Sequence, residues 1–326
     1  MQAITFDTPG GPQVLKLTQA PGPMPAPEQI LVRVHASALN RADTLQRQGN
    51  YPPPPGESAI LGLELAGEVE VLGSAVTNLA VGDRVFGLVG SGGYAEKAVI
   101  DARMAMPIPD GWSFTEAAAV PEVYFTAQET IFTLGSLKQG ETILIHAGAS
   151  GVGTAGIQMA RETGAHIFIT AGSANKIQHC VELGATAGCN YKEQDFAEWI
   201  KDVTDGKGVD VIEDFIGAAY WDKNLQSLKI GGRLILVGLM GGVKAETNLG
   251  LILTKRLQVF GSILRGRPLA EKIDIPRRFQ KNWLPLLTAG TIKPIIDRSF
   301  PLAQAGDAHQ YMEDNKNFGK IILEVA

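Results

Sequence analysis

The chain has 326 residues, of which 45% are hydrophobic and 19% charged, a composition that is typical of globular proteins and excludes a disordered chain. Its 29 basic and 34 acidic residues give a net charge of −5, so the charge does not favour nucleic acid or an anionic membrane as a partner. The longest uncharged apolar stretch, Leu234–Val243, is too short to span a bilayer, and a chain of this length is expected to form two domains.

The cellular compartment is suggested by two features of the sequence. The chain begins MQAITFDTPGG, without a basic patch followed by an apolar run, so no signal peptide is expected. Its two cysteines, Cys180 and Cys189, fit the reduced thiols of a cytosolic protein. We therefore expect a cytoplasmic protein.

Residues 1–120 have the pattern of short β-strands. Strand-like runs are QILVRVHASAL, LELAGEVEVLG, GDRVFGLV and YAEKAVI, and stretches rich in Pro and Gly, such as PGPMPAP and YPPPPGES, separate them. Short strands spaced in this way predict a partly closed β-barrel.

Helices and strands alternate after Trp112. A helix is predicted over SFTEAAAVPEVYFTAQETIF, with Ser113 as its cap and Glu116 three residues later. The subsequent strands are ETILIHA, AHIFITAG, TAGCNY, GVDVIEDFIG, RLILVGL and LQVFGSIL. The helices between them are GVGTAGIQMARETG, SANKIQHCVELG, EQDFAEWIKDVT and YWDKNLQSLKIGG. Repeated βαβ units predict a doubly wound α/β domain, with a parallel sheet covered by helices on both faces.

The C-terminal residues lose this alternation. Helices are predicted at RRFQKNWLPLLTAG and QAGDAHQYMEDN, a turn-like segment at IKPIIDRSFPLA, and a last strand at GKIILEVA. We interpret this segment as returning to the first domain. The predicted domains are therefore 1–120 together with 265–326, and 121–264.

The stretch HAGASGVGTAG, residues 146–156, resembles three kinds of functional loop. A P-loop would need Lys where Thr154 stands, and without it nothing reaches the β- and γ-phosphates. The elbow of a nucleophilic serine needs Gly two residues either side of Ser, and Val152 occupies the second position. The sequence excludes the P-loop and disfavours the elbow.

The third kind of loop binds the pyrophosphate of a dinucleotide. Gly148 and Gly153 occupy the outer positions of Gly-x-Gly-x-x-Gly, Ser150 occupies the middle one, and Gly151 is adjacent to it. A strand precedes the motif and a helix comes after it, so the N–H groups at the helix start would face the phosphates. A Gly-rich turn without a ligand remains the alternative.

The residues after the second strand of this unit indicate the cofactor. An Asp or Glu about 20 residues after the motif would bind the ribose of NAD, and neither occurs between Ala165 and Val181. Ser173 stands at that place, and Lys176 lies three residues further on. A hydroxyl and an ammonium suit a 2′-phosphate, so we predict NADPH, although Lys176 could simply be a solvated helix residue.

Several stretches together resemble one known family. They are SALNRADTLQRQGNYPPPPG, LGLELAGEV, HAGASGVGTAGIQMAR, TAGSANK, NYK, VGLMGG, SILR and YMEDNKNFGKIIL. The chain resembles the zinc-independent quinone oxidoreductases of the medium-chain dehydrogenase/reductase superfamily, and among them the p53-inducible type. The resemblance implies a GroES-like β-rich catalytic domain, which is discontinuous, and a Rossmann domain that binds NADPH.

The same resemblance implies an activity. It is hydride transfer from NADPH to a quinone or a similar conjugated carbonyl. An enoyl reductase acting on an activated C=C bond is the alternative enzyme. A non-catalytic NADPH-binding protein, RNA-binding or crystallin-like, is the alternative outside the enzymes.

The superfamily also contains zinc alcohol dehydrogenases, so zinc ligands must be sought. The first ligand position is Asn40, and Leu63 replaces the His of the second. Glu64 alone cannot hold the metal, and no Cys precedes Cys180 to build a structural zinc lobe. We therefore expect no metal.

The resemblance also assigns roles to single residues. Asn40 and Thr126 would lie near the nicotinamide, and Tyr51 would lie on the substrate side and could deliver a proton in place of water. Asn40 could instead cap a helix, and Tyr51 could cover its own Pro-rich loop. The remaining residues implied to bind the cofactor are Gly148, Ser150, Gly151, Val152, Gly153, Gly172, Ser173, Lys176, Tyr191, Gly217, Gly238, Leu239, Met240, Leu264 and Arg265. Leu264 could instead belong to the core.

The predicted last Rossmann strand, LQVFGSIL, is the only hint of oligomerisation. As an edge strand it could pair with its copy, so we expect a homodimer through the Rossmann domains.

Overall fold

The structure is a computed structural model that describes residues 1–325. Over these residues the chain forms two compact units. The first consists of Met1–Phe125 and the segment from Arg265 to the C-terminus, and the second is Thr126–Leu264. Nowhere in residues 1–325 is a helix long and apolar enough to cross a membrane.

The elements are numbered along the chain. The strands are β1 (Gln2–Thr5), β2 (Lys16–Gln19), β3 (Gln29–Ala38), β4 (Glu64–Leu72), β5 (Arg84–Leu88), β6 (Lys97–Asp101), β7 (Met106–Pro107), β8 (Thr142–Ile145), β9 (His166–Ala171), β10 (Ala187–Asn190), β11 (Val209–Asp214), β12 (Leu228–Leu236), β13 (Gln258–Gly261), β14 (Ile296–Pro301) and β15 (Lys320–Glu324). The helices are α1 (Arg41–Arg47), α2 (Phe114–Ala118), α3 (Pro121–Ala127), α4 (Gly151–Glu162), α5 (Ala174–Leu183), α6 (Phe196–Val203), α7 (Trp221–Ser227), α8 (Leu249–Lys255), α9 (Leu269–Asn282), α10 (Leu284–Thr288) and α11 (Ala305–Glu313).

A mixed sheet organises the first unit. In the described chain its order is β14-β15-β3-β4-β5-β7, with β6 also paired to β3. The antiparallel pair β3 and β4 lies at its centre, and Gly67 is required there because a Cβ atom would lie 2.0 Å from the Arg33 carbonyl oxygen. Strand β15 pairs antiparallel with β3, with Ile322 opposite Ala38, so the C-terminal segment extends the sheet formed by the N-terminal residues.

A parallel sheet organises the second unit. Within residues 126–264 the strand order is β10-β9-β8-β11-β12-β13, and every pair is parallel. Counted within this unit the order is 3-2-1-4-5-6, in which the direction of winding reverses between β8 and β11. The central strands β9, β8 and β11 are buried along most of their length, and β8 has no exposed residue. The predicted doubly wound parallel sheet is confirmed.

Three local expectations need correction. The helix predicted over SFTEAAAVPEVYFTAQETIF is broken into α2, α3 and a π-helical segment at Gln128–Leu134, because Pro121 lacks the N–H that a continuous helix requires. Its start is confirmed, since Ser113 Oγ accepts from the Glu116 N–H at 3.2 Å and Glu116 Oε2 accepts from the Ser113 N–H at 2.8 Å. The turn-like IKPIIDRSFPLA contains β14, whose residues are mostly exposed and carry no apolar alternation. Helix α8 was not predicted at all.

Candidate active site

The loop between β8 and α4 packs tightly at Gly148 and against Gly153 in the first turn of α4. A Cβ atom on Gly153 would lie 2.6 Å from the carbonyl oxygens of Ala147 and Gly148, and one on Gly148 would lie 2.8 Å from Ile169 Cβ. Ser150 caps α4, with its Oγ accepting from the Gly153 N–H at 3.0 Å. The start of an α-helix leaves N–H groups without intrahelical partners and carries a partial positive charge. The loop therefore fits a pyrophosphate.

A buried network lies beneath this loop. His146 Nε2 donates to Asn224 Oδ1 at 2.8 Å, and His146 Nδ1 lies 3.0 Å from Thr170 Oγ1. Asn224 Nδ2 donates to Asp214, whose carboxylate also accepts from the Gly217 N–H at 3.1 Å. Burial lowers the pKa of His146 to about 4, so its imidazole is neutral. The network ties the loops after β8 and β11 together, and sequence reasoning missed it.

Two of the predicted 2′-phosphate residues, Ser173 and Tyr191, lie beside Gly172 at the end of β9. A Cβ atom on Gly172 would lie 2.8 Å from the Tyr191 hydroxyl and 3.3 Å from Lys192 Cε. Ser173 caps α5, with its Oγ accepting from the Lys176 N–H at 3.4 Å. Lys192 is a second cation that sequence reasoning missed, although the quoted stretch NYK contains it. The Tyr191 hydroxyl and the Lys192 side chain therefore lie beside Gly172, next to the start of α5.

The loops after β11 and β12 pack against each other. Gly217 has a φ of 79°, and a Cβ atom on it would lie 2.7 Å from Leu239 Cδ2. A Cβ atom on Gly238 would lie 2.9 Å from the Phe215 carbonyl oxygen. Leu239 and Met240 are 47% and 51% exposed, so this edge of the sheet presents apolar side chains to solvent. Such a surface suits the flat face of a nicotinamide.

Two predicted cofactor residues are buried at the ends of the second unit. Thr126 is 6% exposed, and its carbonyl accepts from Thr130 Oγ1 at 2.7 Å. Leu264 is also 6% exposed, as expected of the core residue that was its alternative interpretation.

In the first unit, Asn40 belongs to a buried ion-pair cluster. Its Nδ2 donates to Glu64 Oε1 at 2.9 Å, and its Oδ1 accepts from Lys320 Nζ at 2.8 Å. Lys320 Nζ also donates to Glu64 Oε1 at 2.7 Å, and the two charged side chains are 3% and 0% exposed. Glu64 Oε2 accepts from the Glu122 N–H at 2.8 Å. Asn40 does begin α1, but its own N–H is capped by Asp43 at 2.8 Å.

The cluster has no arrangement suited to a metal. Leu63, at the second ligand position of zinc enzymes, is buried and offers no donor atom. Across residues 1–325, no three His, Cys, Asp or Glu side chains are grouped to hold a metal ion. An ammonium group, that of Lys320, instead lies beside Asn40 and Glu64.

Two carboxyl groups near this cluster have raised pKa values. Burial, reinforced by the charge of Glu64 and opposed by Lys320, raises the pKa of Glu122 to about 8. Burial likewise raises the pKa of Asp43 to about 6. Burial and the charge of Glu122 raise the pKa of Tyr51, against the influence of Arg265. Glu122 therefore holds a proton at pH 7 within electrostatic range of the Tyr51 hydroxyl, and sequence reasoning did not find it.

Tyr51 is held by Arg265, which the resemblance assigned to the cofactor. The guanidinium centre lies 5.3 Å from the centroid of the Tyr51 ring, and Arg265 Nη1 donates to the Tyr51 carbonyl at 3.4 Å. The other donors of Arg265 reach Gly90 and Gln46. Arg265 therefore contacts both the ring and the backbone of Tyr51.

Comparison with known proteins identifies relatives along the whole chain. Residues 26–110 match the alcohol dehydrogenase GroES-like domain, and residues 151–279 match the zinc-binding dehydrogenase family. Quinone oxidoreductase of Rattus norvegicus is 34% identical over 99% of this chain and 97% of its own length. The crystal structure of Escherichia coli quinone oxidoreductase complexed with NADPH has a TM-score of 0.92 at 32% identity, covering 99% of this chain and 100% of that one. CurK enoyl reductase has a TM-score of 0.87 at 27% identity, covering 100% and 99%.

These matches confirm the predicted fold class, a GroES-like domain together with a Rossmann domain. They also confirm the family resemblance, since the similarity to quinone oxidoreductases extends over nearly all of both chains. The chain belongs to the quinone oxidoreductase family of the medium-chain dehydrogenase/reductase superfamily.

Proposed function

We propose that this protein reduces quinones with NADPH, by hydride transfer and without zinc. The observation that carries the proposal is the Tyr191 hydroxyl and the Lys192 side chain beside Gly172, together with the Ser173 cap of α5, at the end of the second Rossmann strand. The quinone oxidoreductase relatives and the NADPH complex of one of them support the same cofactor. The test is oxidation of NADPH and NADH by the purified protein with a panel of ortho-quinones, para-quinones and enones. NADPH oxidation that depends on a quinone is expected.

The Rossmann unit, proposed as residues 121–264, would bind the cofactor. The pyrophosphate would lie at the start of α4, against the loop that contains Gly148, Ser150, Gly151, Val152 and Gly153. Bound NADPH supplies a hydride.

Other residues of the chain would orient the rest of that cofactor. Ser173, Lys176 and Tyr191 would bind the 2′-phosphate beside Gly172, with Lys192 as a second cation. The nicotinamide would lie near Asn40, Thr126, Gly217, Gly238, Leu239, Met240 and Leu264. Arg265, which the resemblance also assigns to the cofactor, contacts Tyr51.

On the substrate side, Tyr51 would cover the acceptor. Quinones accept hydride readily because reduction makes their ring aromatic, so the protein mainly positions the reactants. The developing oxyanion needs one proton, which the Tyr51 hydroxyl or water would deliver. Asn40, fixed by Glu64 and Lys320, would hold its amide in one orientation.

Two other functions remain to be separated from this one. The similarity to CurK enoyl reductase favours an activated C=C bond as the alternative acceptor. The panel distinguishes it, because an enoyl reductase would turn over enones faster than quinones. An NADPH-binding protein with an RNA-binding or crystallin-like role would bind the cofactor and turn over no acceptor.

We also propose a homodimer through the Rossmann units, in the cytoplasm and without a nucleic-acid partner. Strand β13 lies at the edge of its sheet, and Leu249, Leu253 and Val259 on α8 and β13 are 69%, 77% and 38% exposed. An exposed edge strand with apolar neighbours is a ready template for pairing. Val259→Lys should shift the mass measured by light scattering to that of a monomer. Val203→Lys, on α6, is the matched control.

A further inference from the structure

Arg265 is a buried cation, each of whose three guanidinium nitrogens donates to a protein acceptor. Its side chain belongs to a residue only 6% exposed. Nε donates to the Gly90 carbonyl at 2.6 Å, Nη2 to Gln46 Oε1 at 2.7 Å, and Nη1 to the Tyr51 carbonyl at 3.4 Å. A guanidinium presents its five N–H groups in a rigid plane, so three acceptors in three directions fix its orientation.

The same guanidinium fixes the Tyr51 ring. Its central carbon lies 5.3 Å from the ring centroid, which is within the range of a cation–π contact. The arginine therefore lies over one face of the ring. The opposite face is then the one that can stack on a flat acceptor.

The far end of the Pro-rich segment is anchored through the same pair of side chains. Gln46, which accepts from Arg265, donates through Nε2 to the Ala59 carbonyl at 3.1 Å. Glu57 packs over Gly90, because a Cβ atom on Gly90 would lie 2.3 Å from the Glu57 carboxyl. Residues 51–59, which we call the Tyr51 segment, are thus attached at both ends to Arg265 and Gln46.

We propose that Arg265 is a positioning residue, which holds the Tyr51 segment and sets the ring face that meets the acceptor, and that it does not bind the cofactor. This inference rests on the proposed quinone reduction. The acidic side chains that act electrostatically on Arg265 are Asp43, Glu57 and Glu122, of which Glu122 is protonated at pH 7. The orientation of the guanidinium is set by its three hydrogen bonds.

The test compares Arg265→Gln and Arg265→Lys with wild type and with Arg277→Gln, an exposed arginine on α9. Three quantities are measured: amide hydrogen exchange at Glu57, whose N–H donates to the Pro54 carbonyl at 3.1 Å within the Tyr51 segment, NADPH affinity by fluorescence titration, and kcat/KM for a flat quinone. Exchange at the Glu57 amide should rise about tenfold in both Arg265 variants, since Lys cannot reach three acceptors. NADPH affinity should change less than about twofold, and kcat/KM should fall about tenfold. Arg277→Gln should leave all three unchanged.

Coupling to Tyr51 is the sharper readout. In a Tyr51→Ala background, Arg265→Gln should lower kcat/KM less than about twofold, because the ring it positions is gone. If kcat/KM of the double variant falls by the product of the losses in the two single variants, the proposal is wrong. An NADPH affinity that falls about tenfold while exchange at the Glu57 amide stays at the wild-type level would also overturn it.

A second variant and a readout that is independent of turnover complete the test. If Arg265→Gln does not fold, Gln46→Ala removes the second attachment and should raise exchange in the same segment, and unchanged exchange would contradict the inference. Hydrogen exchange needs no turnover. A wild-type protein that reduces no quinone would therefore refute the proposed function, while the exchange data alone decide whether Arg265 holds the segment.

Discussion

Glu213 makes the stability of the Rossmann unit depend on pH. This residue of β11 is 0% exposed, and its Oε1 lies at hydrogen-bonding distance, 2.5 Å, from Thr130 Oγ1. Within the described chain, its Oε2 is buried and has no hydrogen-bonding partner. Burial raises the pKa of Glu213 to about 8, against the favourable bond from Thr130. At pH 7 the folded protein therefore carries a protonated carboxyl.

The sign of the effect comes from comparing the two states. The unfolded chain releases this proton near the ordinary Glu pKa of 4.5, and the folded chain keeps it up to about pH 8. A raised pKa in the folded state gives a contribution to stability that is complete below pH 4.5 and lost as the pH rises through 8. At about 1.4 kcal/mol per pKa unit, the loss by pH 9 approaches a ceiling of roughly 4–5 kcal/mol.

Glu213→Gln removes this titration while keeping the size of the side chain and an acceptor for Thr130. We expect the variant to be more stable than wild type at pH 9, by several kcal/mol at most, and close to wild type at pH 4.5. The assay is urea unfolding at pH 4.5, 7 and 9, monitored by fluorescence of Trp199 and Trp221, which lie in the same unit. Glu198→Gln, a change at a 71% exposed side chain, should show no such trend. A difference between Glu213→Gln and wild type that is the same at every pH would refute the reasoning.

Four further outcomes are expected. Lys176→Ala should weaken NADPH binding by about 1–3 kcal/mol and leave NADH binding nearly unchanged, and Lys192→Ala should act in the same direction. Equal losses of affinity for both cofactors would contradict the phosphate site. Dialysis against a strong chelator should leave turnover intact, and elemental analysis should find no stoichiometric zinc. Lys320→Met should destabilise the protein by about 3–5 kcal/mol in urea unfolding, because it leaves the Glu64 charge buried, and a second change of Glu64→Gln should recover part of the loss. Tyr51→Phe should lower kcat/KM modestly and Tyr51→Ala more strongly, with NADPH affinity retained; unchanged quinone turnover in the Ala variant would show that Tyr51 only covers its loop.

The features predicted well from sequence are those whose signals are local. The Ser113–Glu116 capping box spans three residues, and the predicted start of the helix is confirmed by both of its hydrogen bonds. The βαβ pattern likewise predicted the parallel sheet, because buried strands and helices alternate along the chain. Strand β14 was missed because an exposed edge strand has no apolar alternation to detect.

The residues of the candidate active site were harder to predict, because their hydrogen-bonding partners come from distant parts of the sequence. The loop around Ser150 could be found from glycine spacing alone. The neutral His146 could not, since its partner Asn224 is 78 residues away. Arg265 was assigned by resemblance to the cofactor, whereas its bonds reach Gln46, 219 residues away, and the Tyr51 carbonyl. No short-range pattern predicts such pairs.

The buried cluster of Asn40, Glu64 and Lys320 balances its own charge without a metal ion. Glu64 would be an unpaired buried charge if Asn40 and Leu63 were its only neighbours, and such a charge is strongly destabilising. Lys320, 256 residues away, supplies one positive charge at 2.7 Å and also binds the Asn40 amide. The ammonium group neutralises Glu64 and occupies its Oε1 atom, and like-charge repulsion would oppose a divalent ion beside it. Restoring Cys and His at positions 40 and 63 would therefore not suffice to create a zinc site, because the cation that balances Glu64 would still be there.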